Sequence, residues 1–131
     1  MNIFIEFVTS LIIGILLGIV GLGIGADIGA NYGFPAFGGN AGYEAGGVFF
    51  AIIGISIGSL LGIIFMKKIQ KERHKYLNTS IAAIILIFIE VIIFDTYMSA
   101  VTGIMFLLLP PIVLTAIANW QKFSQSKNNN D

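Results

Sequence analysis

Four apolar runs, Ile3 to Gly25, Val48 to Met66, Ser80 to Phe94 and Val101 to Ala118, constrain this 131-residue chain more than any other feature. A helix that crosses a bilayer needs roughly 20 mostly apolar residues, and four such helices fill the chain. Composition agrees: 56% of residues are hydrophobic and 11% charged, whereas about a quarter are charged in soluble domains. The reading is all-α, a single integral membrane domain over 1–131, folded as a four-helix bundle. Its spans are expected near 3–25, 46–66, 79–97 and 100–120. A cleaved signal peptide is a poorer reading of the first run, because no Lys or Arg precedes it and Glu6 lies within it.

All seven basic residues lie in two places: Lys67, Lys68, Lys71, Arg73 and Lys75 between the second and third runs, and Lys122 and Lys127 near the end. Positive charge marks the cytoplasmic side of short loops. This predicts both termini inside (N-in/C-in), a cytoplasmic basic loop at 67–78, a disordered polar tail at 121–131 and a Gly-rich external loop at 26–45. Tyr76 and Trp120 then fall at the inner interface, and Tyr32, Tyr43 and Tyr97 at the outer one, where amphipathic rings sit. The basic loop is read as a topology signal at the lipid surface rather than as a nucleic-acid patch.

Residues 21–47 hold ten glycines, and the glycine pattern extends along the flanking runs at helical spacing. Ser10, Gly14, Gly18, Gly21 and Gly25 follow steps of 4, 4, 3 and 4, and Gly62, Gly58, Gly54, Ala51 and Gly47 repeat those steps backwards. Such steps keep each set on one helix face. The two stripes mirror each other about Ala36. They predict an antiparallel hairpin of helices 1 and 2 that pairs Ser10 with Gly62, Gly14 with Gly58, Gly18 with Gly54, Gly21 with Ala51 and Gly25 with Gly47. Small residues let helix backbones approach in lipid, where no hydrophobic force drives association. The competing use of the same stripes is an interface between protomers. GLGIGA at 21–26 also fits the letters of a dinucleotide fingerprint, but it closes a membrane helix instead of opening one after a strand.

Of the seven acids, Glu6, Glu72 and Asp131 belong to the basic side; Asp27, Glu44, Glu90 and Asp95 belong to the outer half, where the chain has no Lys or Arg. Glu90 lies about 18 Å along helix 3 from Asn78, deep in the hydrocarbon, where an ionised carboxylate is costly. Pro110 and Pro111 interrupt the fourth run as a helix kink and free the carbonyls of Phe106 and Leu107. A tight outer turn would bring Leu107 to the depth of Glu90 and Thr102 beside Asp95. Structurally, Glu90 would donate a proton to a freed carbonyl, a bond worth roughly 1 kcal/mol. Functionally, Glu90 is a candidate proton or cation site, with Asp95, Asp27 and Glu44 as an acidic vestibule.

Cysteine is absent and His74 is the only histidine, which excludes thiol nucleophiles, cysteine-bound metals and a histidine metal cluster within one chain. No cofactor or metal is expected, and no enzymatic activity. The expectation is a non-enzymatic structural or assembly subunit of a bacterial cytoplasmic (inner) membrane, packing in the lipid bilayer as a homo-oligomer or with a membrane-protein partner, and not with nucleic acid. The alternative is a small oligomeric channel or proton- or cation-coupled transporter that uses Glu90.

Overall fold

A computed structural model describes residues 3–37, 40–71, 76–97 and 100–128, with side chains described except at 100–102 and 121–128. The described residues form four helices and no strand: α1 (Ile3–Tyr32), α2 (Tyr43–Ile69), α3 (Tyr76–Thr96) and α4 (Ala100–Asn128). All four contain segments long and apolar enough to cross a membrane.

The helices outrun the expected spans. α1 has 30 residues, about 45 Å at 1.5 Å per residue, against a hydrocarbon core of about 30 Å. It continues through Asp27 to Tyr32, so the connection to α2 is 33–42, shorter than the loop expected at 26–45. α2 carries on through Lys67 and Lys68 to Ile69, and residues 72–75 of the basic loop, His74 among them, lie outside the described residues. α4 passes through Pro110 and Pro111 and on to Asn128, where a disordered tail was expected. The polar composition of 121–128 removes a packing force but does not itself end a helix; no Pro or Gly stands there to stop it.

Two glycines bound the 33–42 connection with backbone angles that side chains disfavour: Gly33 at φ +76° directly after α1, and Gly42 at φ +61° as the residue capping α2. Between them Phe37 and Asn40 exchange backbone hydrogen bonds of 2.9 and 3.0 Å. The connection folds onto the helices. Phe37 is buried, stacked on Phe94 at 5.3 Å between ring centroids and edge-on to Phe49 at 5.5 Å. Phe94 in turn meets Phe106 of α4 at 5.5 Å. These rings, with Ala45 and Ile52, form an apolar layer at the end of the molecule nearest the connection. A second layer, Ile63, Ala83, Leu114 and Ala118, joins α2, α3 and α4 toward the other end.

α1 meets α2 along most of its length, while α4 touches all three other helices and α1 does not touch α3 among the described residues. The buried positions of α1 are Glu6, Ser10, Gly14, Gly18, Gly25 and Gly29, so the face turned inward is small or polar. The large residues Ile12, Leu16, Ile19, Ile84, Phe88 and Ile92 point outward. That inversion suits a lipid solvent, in which outward apolar side chains carry no hydration penalty and close backbone approach supplies much of the packing energy.

Along the α1/α2 seam the approach is backbone to backbone. A Cβ on Gly58 would stand 2.6 Å from the Ile13 carbonyl oxygen, and one on Gly62 would stand 2.6 Å from Ser10 Cα. On Gly54 it would collide with the Leu17 carbonyl, and on Gly21 with that of Phe50. Gly14 faces Ser59 and Ile55, and Gly18 faces Ile55 and Ala51. At the far end the register differs by one residue from the expected pairing. Gly25 faces Gly46, whereas Gly47 faces Leu22 and Ala26, and Gly29 adds a further contact with Gly42. Glycines at both 46 and 47 let the backbones meet at either position, which the step pattern by itself does not distinguish.

Candidate functional site

Two buried polar clusters lie inside the helices, and the larger was not anticipated. Glu6 stands in the first turn of α1 and Lys67 in the last turn of α2. Each is therefore at the helix end whose dipole favours its charge. Lys67 Nζ lies 3.1 Å from Glu6 Oε1, with the two side chains 1% and 0% exposed. Oε1 makes no aligned hydrogen bond, so this contact is an ion pair held by charge more than by direction.

Asn119 of α4 closes the cluster. Its Nδ2 donates to Glu6 Oε2 at 2.9 Å and to the Thr115 carbonyl at 2.8 Å, while its Oδ1 accepts from Lys67 Nζ at 3.2 Å. This arrangement fixes the amide, since turning it over would set its N–H groups against the ammonium and its oxygen against the carboxylate. Three helices thus share one neutral set of charges, closed off from solvent. An ion pair so enclosed needs its remaining donors and acceptors satisfied to offset desolvation, and the asparagine supplies two of those contacts, one to each charged group.

Lys67 was read as part of the basic loop, and the structure places it in the last turn of α2 instead, buried against Glu6; the reading of Glu6 on the basic side agrees with this pair, whose burial was not anticipated. A signal for it was present in the sequence. Glu6 continues the stripe one turn before Ser10, and the register that pairs Ser10 with Gly62 sets Glu6 at the level of positions 66 and 67. Asn119 had no such signal, because its position depends on how α4 docks.

Glu90 forms the second cluster. It is 1% exposed, and its Oε2 accepts a 2.9 Å hydrogen bond from Ser56 Oγ of α2. The bond expected with a carbonyl freed by Pro110 or Pro111 is not made. Pro110 and Pro111 are themselves fully buried, and Glu90 Oε1 has no hydrogen-bond partner. Ser56 lies one turn from Ile52 on α2, as Glu90 lies four residues from Phe94 on α3, so the pair sits beside the aromatic layer. Ser56→Ala should therefore cost only about 1 kcal/mol in detergent unfolding, the scale of a polar contact between membrane helices.

The other acids do not join Glu90. Asp27, Glu44 and Asp95 are exposed, one on each of α1, α2 and α3. Asp27 accepts from Asn31 Nδ2 at 2.9 Å, and Glu44 Oε1 accepts from Tyr43 Oη at 3.0 Å. The expected pairing of Asp95 with Thr102 falls on a side chain outside the described residues. Among the described residues no three His, Cys, Asp or Glu converge closely enough to hold a metal ion.

Ser10 provides one more polar tie, its hydroxyl donating 2.9 Å to the Ser59 carbonyl within the α1/α2 seam. No protein family, curated protein or solved structure matches this chain.

Proposed function

We propose that this small multi-pass membrane protein is a non-enzymatic structural or assembly subunit of a bacterial cytoplasmic membrane, with both termini inside and α1 and α2 forming a rigid glycine-rich antiparallel hairpin. The supporting observation is the use made of the buried polar side chains. Ser10 ties α1 to α2, Ser56 with Glu90 ties α2 to α3, and Glu6, Lys67 and Asn119 tie α1, α2 and α4. Groups arranged in this way cross-brace a scaffold. Its apolar exterior meets lipid, further copies of itself or a larger membrane complex.

The second reading, a small oligomeric channel or a proton- or cation-coupled transporter, draws on a single atom, the buried Glu90 Oε1 that lacks a partner. A carboxylate inside a membrane helix is a transport-site hypothesis by default. Reconstitution in liposomes separates the two. The scaffold reading expects proton and monovalent-cation flux no faster than in empty vesicles, and Glu90→Gln to leave assembly size unchanged. Flux that Glu90→Gln abolishes while the fold survives would replace the scaffold with the transporter.

A further inference from the structure

Beside the α1/α2 seam, near the 33–42 connection, lies an open pocket of about 330 Å³. Leu22, Ala26 and Val48 form its walls, and Asn40, Tyr43 and Glu44 complete it. A smaller hollow of about 170 Å³ lies farther along α1, walled by Ile15, Ile19, Ile55 and Leu107 of α4. Leu22 borders both, so the two adjoin as one furrow with a polar head and an apolar length. Mostly apolar walls with a few placed polar groups are the general form of a small-molecule site.

We propose that this furrow binds a membrane lipid whose headgroup carries a primary amine, with the acyl chain along the seam toward Leu107 and the ammonium against Glu44. Three observations select that occupant. The stretch past Leu22 is open and lined by apolar side chains, Ile15, Ile19, Ile55 and Leu107, a surface suited to an acyl chain. The head is anionic: Tyr43 Oη holds Glu44 Oε1 at 3.0 Å, and no other hydrogen bond or ion pair engages that carboxylate among the described residues. Every Lys and Arg of the chain lies at 67–75 or at 122 and 127, in or past the last turns of α2 and in the C-terminal part of α4, at the far ends of those helices from Glu44. A headgroup with phosphate alone meets uncompensated repulsion there, while an ammonium meets its counter-charge.

The leaflet involved, the outer one, rests on the proposed orientation; binding does not. Symmetric nanodiscs therefore test the site independently of the scaffold reading. In discs of equal phosphatidylethanolamine and phosphatidylglycerol, native mass spectrometry of the released protein should find the amine lipid retained about three-fold or more over the glycerol lipid, the scale of one partly exposed ion pair. Glu44→Gln, at an exposed position, should remove the preference. Ala26→Phe, which fills the pocket, should lower retention of both lipids. Equal retention of the two lipids by the native protein, or an unchanged preference in Glu44→Gln, would overturn the assignment.

Discussion

Lys67→Met is expected to destabilise the protein by about 3–5 kcal/mol, because it leaves Glu6 as an unpaired carboxylate in a site closed to solvent. It also removes the donor that holds Asn119 Oδ1, so the amide loses the contact that fixes its orientation. Unfolding in mixed detergent micelles, followed by circular dichroism, measures the loss. The informative variant is the double replacement Glu6→Gln with Lys67→Met. Neutral side chains of similar length remove both charges together, and replacing a buried pair outright is often neutral or stabilising. The double variant should therefore recover to within about 1–2 kcal/mol of the native protein, a strongly non-additive cycle. Additive losses would mean that the two charges do not depend on each other, contrary to their 3.1 Å separation.

Gly54→Leu is the second large effect. The first carbon of the new side chain already collides with the Leu17 carbonyl and comes within 3.1 Å of Gly18 Cα. Those are backbone atoms of α1, which cannot turn aside as a flexible side chain does. The helices must separate, and overpacking of this kind costs about 1–3 kcal/mol or more. Gly58→Leu should behave alike, being hemmed by Ile13 and Gly14. Gly23→Leu is the matched control: nothing lies within 4 Å of a Cβ there, and the change should be neutral or slightly stabilising, since glycine is a poor helix former. The same unfolding assay should place the two classes well apart; equal losses at 23 and 54 would contradict a seam built on small residues.

The four helices were legible because length and apolarity suffice to mark a membrane span. Their ends were less so: Ala26 in α1 and Lys67 in α2 were read as the first residues of loops, yet helices longer than the hydrocarbon core extend past it. Along the seam, the step pattern did not distinguish whether Gly25 meets Gly46 or Gly47. The sites divided in the same way. Burial of Glu90 follows from its depth within the third apolar run, whereas its partner Ser56 depends on the rotation of α2 against α3, which no spacing in the sequence specifies. Asn119 was invisible for the same reason. Glu6 and Lys67 were within reach, one turn beyond the stripes, and were missed because each was weighed against the membrane surface and not against the other helix.

The proposed hairpin can be trapped directly. A Cβ built on Gly47 lies 3.6 Å from Ala26 Cβ, inside the range of about 3.5–4.5 Å that disulfides adopt, and the native chain contains no cysteine to interfere. Ala26→Cys with Gly47→Cys, oxidised in membranes and cut at a protease site inserted in the 33–42 connection, should yield two halves that stay joined until a reductant is added. Halves that part without reductant, or disulfides found only between separate chains, would contradict the hairpin.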